Sequence, residues 1–206
     1  MVSRLKNGYV FLDSQGEFLY IPSPKKQCLI NQFKTHHPHY SKYPRFIYIY
    51  RDGRDVAVSY YQYETRVGNF RGSFEQFIRT KMNRHFGSWH AHVLKAMEFS
   101  RANPQRVLLL QYGRMLENTF ESVKEMVIFC GIIANEARLK KAVKLCSFER
   151  LKKVESEYGS EDEYSPNMKF FHEGRSGQWK IYFSNAQLKS SYDREGDALR
   201  ELNYID

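Results

Sequence analysis

The sequence predicts an α/β domain in which a central parallel sheet is flanked by helices. Two apolar or aromatic runs, Phe46 to Tyr50 and Val107 to Leu110, have the length and continuous hydrophobicity of buried parallel strands. Each run precedes a stretch with helical spacing of apolar residues, and alternating strands and helices favour a parallel sheet. With 206 residues the chain is long enough for one such domain, so we expect a single domain over residues 1–206.

Two further strand signals precede the first buried run. Tyr9 to Asp13 and Glu17 to Ile21 flank a Gly-containing turn and predict a short hairpin. Cys28 to Phe33 predicts another short strand, which ends at Lys34-Thr35-His36. Because ligands bind at the carboxyl ends of strands in open parallel sheets, these side chains are candidates for a functional site.

The helices are marked by caps and apolar spacing. A helix is predicted from Asp55, after Gly53 breaks the strand. Ser73 and Gln76 have the spacing of a capping box. The other predicted helices run from Ser88 to Ser100, from Asn118 to Gly131, over residues 135–153 and from Asn185 onwards. Residues 156–167 are acidic and polar and are predicted to form a loop.

Charge and cysteine content narrow the functional classes. The formal net charge is +9, which favours an anionic partner: nucleic acid or a phosphorylated or sulfated small molecule. The three cysteines form no CxxC pair, which favours a reducing compartment over a disulfide framework. No signal peptide or transmembrane run is visible, so we expect a cytoplasmic protein that does not act at a membrane.

The turn after the first buried strand predicts an anion site. A strand that turns directly into a helix leaves unpaired N–H groups at the helix start, and these attract anions. Arg51 and Arg54 flank this start, and the planar guanidinium of Arg51 matches a phosphate. Ser59 lies further along the same helix and offers a hydroxyl donor. The alternative reading is a solvated, charged turn without a ligand.

Five segments in order resemble the sulfotransferases that use 3′-phosphoadenosine 5′-phosphosulfate (PAPS). Tyr50 to Tyr61 is similar to the family's 3′-phosphate-binding segment, and Lys34-Thr35-His36 resembles its catalytic Lys-Thr/Ser-His. The other three matching segments are Val107 to Tyr112, Cys146-Ser147-Phe148 and Gly174 to Lys180. The resemblance covers roughly residues 30–185 and implies a P-loop-NTPase-like sulfotransferase fold with PAPS as co-substrate and no metal.

The resemblance also implies roles for individual residues. The implied cofactor-binding residues are Arg51, Ser59, His172, Gly174 and Arg175 around the 3′-phosphate, and Tyr112, Cys146, Ser147 and Phe148 around the adenosine. His36 is the implied general base, because an imidazole suits proton transfer from an acceptor hydroxyl near neutral pH. Lys34 shares a strand face with His36, so its ammonium is placed to offset charge on the bridging oxygen.

Three departures from the family pattern are visible. The family's leading phosphate loop, of the Pro-Lys-Ser-Gly-Thr-Thr-Trp type, has no counterpart, so we expect the first strand, loop and helix of the fold to be missing. His172-Glu173-Gly174 stands where the family has Arg-Lys-Gly, and this places a carboxylate near a phosphate. The family's C-terminal dimer motif is not reproduced around Ser184-Asn185. The sequence therefore does not predict whether the chain is a monomer or an oligomer.

The leading functional prediction is an enzyme that moves a sulfuryl group from PAPS to an acceptor hydroxyl or amine of an unidentified small molecule. The alternative is a non-catalytic relic or fragment that keeps only the 3′-phosphate and adenosine half of the site. A nucleic-acid-binding module is disfavoured because the basic residues are scattered and no aromatic–basic motif is present. A metal site at His36, His37 and His39 is disfavoured because Pro38 interrupts the cluster.

Overall fold

A computed structural model describes residues 3–5, 8–12, 18–22, 34–80, 82, 87–159, 169, 171 and 173–206. The chain divides into two compact units, Met1–His37 and Pro38–Asp206. The expectation of one domain over the whole chain stays a prediction.

The first unit contains an antiparallel sheet of strands β1 (Ser3–Leu5), β2 (Gly8–Leu12) and β3 (Phe18–Pro22) in that order. Strands β2 and β3 pair from Gly8 opposite Pro22 to Leu12 opposite Phe18, which confirms the predicted hairpin. Strand β1 was not predicted, because residues 1–8 lack an apolar pattern. The strand predicted over Cys28 to Phe33 lies outside the described residues.

The second unit is built on a parallel pair of strands, β4 (Phe46–Tyr50) and β5 (Val107–Gln111). Their register pairs Phe46 with Val107 and Tyr50 with Gln111, so both strands end at the same edge. The predicted strands and their parallel pairing are therefore confirmed.

Burial of β4 on both faces was predicted wrongly, since Ile49 is 51% exposed. The side chains of a strand alternate between its two faces. Tyr48 and Tyr50 pack against Val93 and Met97 of the helix that covers one face, whereas Ile49 points to the other.

The helices of the described residues follow the predicted alternation with strands. They are α1 (Gly53–Arg66), α2 (Phe74–Thr80), α3 (Trp89–Ala102), α4 (Tyr112–Glu117), α5 (Thr119–Phe129), α6 (Glu136–Leu145), α7 (Phe148–Tyr158), α8 (Trp179–Tyr182) and α9 (Asn185–Glu201). The predicted capping box is confirmed, because the Gln76 N–H donates to Ser73 Oγ and the Ser73 N–H donates to Gln76 Oε1.

Several helix boundaries differ from the prediction for local reasons. Helix α1 begins at Gly53 and not Asp55, because the Asp52 carboxylate accepts the N–H of Arg54 and caps the helix. Residues 135–153 hold parts of two helices, since the Ser147 hydroxyl caps a new helix by accepting the N–H of Arg150. The sequence places Cys130 in a helical apolar pattern, which predicts a core position, but the structure shows it exposed just after α5 ends.

Two apolar clusters stabilise the described part of the second unit. Val93 and Met97 of α3 pack against Leu202, so the end of α9 docks on α3. Ala57 and Val58 of α1 pack against Phe74 of α2, and the partly buried residues around them include Tyr61, Ile78, Trp179, Tyr182 and Phe183. The helix predicted from Asn185 therefore joins the core along one side, and burying each large apolar side chain contributes about 1.5–3 kcal/mol.

Candidate functional site

The carboxyl ends of β4 and β5 bring two predicted site residues together. Arg51 follows β4 directly, and Tyr112 follows β5 directly. Because the two strands are parallel and in register, the Arg51 guanidinium carbon lies 4.8 Å from the centre of the Tyr112 ring. A cation stacked on a tyrosine is held in place while its N–H donors stay available at the ring's edge.

Arg51 retains donor capacity in this position. One Nη atom donates to the carbonyl of Arg175 at 2.8 Å and lies 3.6 Å from the Asp55 carboxylate. Its Nε is buried and has no hydrogen-bond partner in the part of the chain that the structure describes. A buried donor without an acceptor is unfavourable, so an anion that accepts from Nε would be stabilised here.

Asp55 links Arg51 to the glycine-rich loop that contains Gly174 and Gly177. The Asp55 side chain, only 1% exposed, accepts the backbone N–H groups of Gly177 at 2.7 Å and Trp179 at 3.0 Å. Gly174 and Gly177 both have positive φ angles, +60° and +82°. Residues other than glycine adopt this backbone conformation only at a cost in free energy. The first turn of α1 therefore fixes the loop that contains the predicted cofactor-binding residues Gly174 and Arg175.

Phe148 lies directly beneath this loop. A Cβ atom on Gly174 would come within 2.7 Å of the Phe148 ring, so only glycine fits there without a shift. Phe171 packs edge-on against the same ring, with 6.1 Å between the ring centres. The structure thus joins Arg51, Gly174 and Phe148 into one cluster around the ends of the two strands.

Arg54 differs from the sequence expectation, which placed it beside Arg51 at the anion site. Its side chain is 2% exposed and turned inwards, with Nη2 2.7 Å from the Asp52 carboxylate. The guanidinium carbon lies 3.9 Å from the centre of the Trp179 ring, and Nη1 donates to the Tyr192 hydroxyl at 3.1 Å. Arg54 therefore fastens α1 to the loop and to α9.

The other predicted cofactor-binding residues are exposed, cap a helix or lie outside the described residues. Ser59 is exposed on α1, and Cys146 is exposed at the end of α6. The Ser147 hydroxyl caps α7, so it has a structural partner already. His172 lies outside the described residues.

Lys34 and His36 are exposed and belong to the first compact unit, so their catalytic roles stay predictions.

Sequence reasoning missed the role of Asp55 in the site. Arg51 and Asp55 are four residues apart, the spacing of a helical ion pair, but the partners of Asp55 are far away in sequence. Glu173 pairs with Arg175, with 2.5 Å between Oε2 and Nε. From the departure of Glu173 from the family pattern, the sequence analysis predicted a carboxylate near the phosphate, but it did not identify this pair.

Two properties of the described residues concern metal binding and membrane insertion. No group of three or more His, Cys, Asp or Glu residues among them is arranged to hold a metal ion. None of the described helices is long and apolar enough to cross a membrane.

Comparison with known proteins gives a consistent result. A family model described as a sulfotransferase domain matches residues 23–194. Sulfotransferase 1E1 of Cavia porcellus is 33% identical over 176 residues, which are 78% of this chain and 58% of the relative. Cytosolic sulfotransferase 16 of Arabidopsis thaliana is 30% identical over 157 residues, which are 68% of this chain and 46% of the relative.

A solved structure agrees with these relatives. Mouse sulfotransferase SULT7A1, in a crystal structure with PAP, superposes with a TM-score of 0.64 at 26% identity, covering 78% of this chain and 62% of that one. The chain spans about half the length of the curated relatives it matches. On its family-model match and its fold, the chain belongs to the sulfotransferase family, as the five sequence segments indicated.

Proposed function

We propose that this chain binds PAPS and transfers its sulfuryl group to a hydroxyl or amine of a small-molecule acceptor. The observation that carries the proposal is the position of Arg51, stacked on Tyr112 where both parallel strands end, with a buried Nε that has no partner among the described residues. Membership of the sulfotransferase family supports the reaction class. The PAP in the SULT7A1 crystal structure supports the choice of nucleotide.

In this proposal the cluster holds the end of the nucleotide that does not react. Arg51 donates to the 3′-phosphate from Nε and a terminal nitrogen, a geometry that matches two phosphate oxygens. Phe148, fixed beneath Gly174, is positioned to stack on the adenine, and such stacking contributes about 1–3 kcal/mol per base. In this arrangement Tyr112 lies next to both the 3′-phosphate and the adenine.

The proposed chemical step is an in-line displacement at sulfur. The acceptor oxygen or nitrogen forms a bond to sulfur while the bond from sulfur to the 5′-phosphate oxygen breaks, and PAP leaves. His36 accepts the acceptor's proton, and Lys34 offsets the charge on the bridging oxygen. Both roles rest on the resemblance of Lys34-Thr35-His36 to the family's catalytic segment. We place the reaction in the cytosol, and the similarity to cytosolic sulfotransferase 16 supports this location.

Nucleotide binding is the first test. Calorimetric titration with PAP should give a measurable affinity, and Arg51→Ala should weaken it about 10- to 100-fold, as expected for a lost hydrogen bond to a charged group. Arg51→Lys keeps the positive charge but lacks the planar guanidinium with its several donors. Its affinity for PAP should therefore lie between those of the wild type and Arg51→Ala. Arg71→Ala, in an exposed loop, is the matched control and should bind like the wild type. Absence of PAP binding to the wild-type chain would refute the proposal.

Transfer of radiolabelled sulfate from PAPS to a panel of phenols, alcohols and amines is the second test. His36→Ala should lower turnover about 10²- to 10⁴-fold, the usual contribution of a general base, while PAP affinity is unchanged. His39→Ala, at another exposed histidine nearby in sequence, should retain turnover. A wild-type chain that binds PAP and transfers nothing to any acceptor would favour the relic reading over the enzyme.

A further inference from the structure

The cluster at the strand ends contains two carboxylates as well as two guanidinium groups. Arg51 lies 3.6 Å from Asp55, and Arg175 Nε lies 2.5 Å from Glu173 Oε2. The two pairs are joined, because the Arg175 carbonyl accepts from Arg51. Each cation of this cluster therefore faces an anion of its own, and the formal charges of the four side chains cancel.

The two carboxylates have different roles in the fold. Asp55 is buried and accepts two backbone N–H groups of the loop, so its negative charge holds the loop in place. Glu173 lies within the loop, beside Gly174, and its side chain is 29% exposed. Its charge-assisted contact is with Arg175, whose side chain is 58% exposed, and surface pairs of this kind add little to stability.

The position of Glu173 matters for an incoming anion. A phosphate that accepts from Arg51 lies close to the backbone of Arg175, since that backbone carbonyl is 2.8 Å from Arg51 Nη2. The same phosphate would compete with Glu173 for the Arg175 guanidinium. A phosphate that carries close to two negative charges is repelled by a neighbouring carboxylate, and both effects weaken its binding.

We propose that Glu173 is a specificity-determining residue that lowers the preference of the site for a nucleotide with a 3′-phosphate over one with a 3′-hydroxyl. The inference rests on the proposed function, because it assigns the 3′-phosphate to Arg51. Adenine stacking on Phe148 and contacts to the rest of the nucleotide are unaffected by Glu173, so its effect is confined to the 3′-phosphate.

The test compares two nucleotides that differ only in this group. PAP (adenosine 3′,5′-bisphosphate) and adenosine 5′-monophosphate are titrated calorimetrically into the wild-type chain, Glu173→Gln and the control Glu98→Gln. Glu98 is an exposed glutamate on α3, so its replacement removes one negative charge from the chain without touching the cluster. Each titration is done at low and at high salt.

We expect Glu173→Gln to tighten PAP about tenfold, the effect of removing one unit of nearby like charge, and to leave the monophosphate unchanged. The gain should shrink at high salt, because screening weakens the repulsion that is removed. Glu98→Gln should leave the ratio of the two dissociation constants as in the wild type. An unchanged ratio in Glu173→Gln, or equal tightening of both nucleotides, would overturn the inference.

The two proposals fail in different ways. Wild-type binding of PAP with an unchanged ratio in Glu173→Gln refutes the role of Glu173 and leaves the proposed function standing. Binding of PAP by Glu173→Gln but not by the wild type refutes the proposed function of the natural chain and supports the role of Glu173. Absence of PAP binding in both proteins refutes both.

Discussion

Replacing Asp55 by Asn tests whether a single buried carboxylate fixes the glycine-rich loop. Asp55 Oδ2 accepts the N–H of Gly177 and Oδ1 accepts the N–H of Trp179. An asparagine has one oxygen and one NH₂ group, so only one of the two backbone donors keeps an acceptor. The other would face a second donor in a site with almost no solvent access.

The size of the effect follows from these two bonds. A buried N–H left without an acceptor costs about 1–3 kcal/mol. The remaining bond changes from a charge-assisted to a neutral one and loses about half of its strength, roughly 1 kcal/mol. We therefore expect Asp55→Asn to lower the free energy of unfolding by about 3 kcal/mol.

Urea unfolding followed by circular dichroism measures this change, and Asp193→Asn on the exposed side of α9 is the matched control. The control should unfold within about 0.5 kcal/mol of the wild type. Amide hydrogen exchange gives a local readout: the N–H groups of Gly177 and Trp179 should exchange faster in Asp55→Asn alone. Stability within 0.5 kcal/mol of the wild type, with unchanged exchange at both amides, would refute the reasoning.

The structure also predicts the direction of two other changes in stability. Gly53→Ala places a Cβ 2.6 Å from the Trp89 ring and should destabilise the fold by about 1–3 kcal/mol in urea. Gly113→Ala, whose Cβ would have 3.7 Å to its nearest neighbour, is the control, and equal stabilities of the two variants would contradict the close contact. Burial raises the pKa of Tyr204 from 10 to about 12. The folded state therefore favours the protonated phenol, so its contribution to stability is complete below pH 10 and is lost as the pH rises towards 12. Between pH 10 and pH 12 the free energy of unfolding of Tyr204→Phe should therefore fall less than that of the wild type. If the two proteins lose stability in parallel over this range, Tyr204 is not the group responsible.

Local interactions explain why much of the fold was predictable. The run Phe46–Tyr50 is apolar throughout and became a strand with the predicted limits. Ser73 and Gln76 cap α2 through bonds that involve only their own turn of helix. Such signals depend on neighbours within a few residues, so they can be recognised without knowledge of the tertiary structure.

Other features were decided by partners that the sequence does not reveal. Gly53 was predicted as a turn residue, but its lack of a Cβ is needed because Trp89 packs against it. Cys130 has the spacing of a core residue and is nevertheless exposed, since the chain leaves the helix just before it. Spacing alone cannot show which face of an element another element will cover.

Local patterns and five ordered segments in the sequence are sufficient to predict the α/β class and the family, and they also predict an anion site after β4. Tertiary structure decided which of the two arginines faces that site: Arg51 stacks on Tyr112, whereas Arg54 turns inwards to Asp52 and Trp179. It also decided that Asp55 holds a loop 122 positions away. Arginines of identical chemistry take different roles because burial and partners are set by the packing of distant segments.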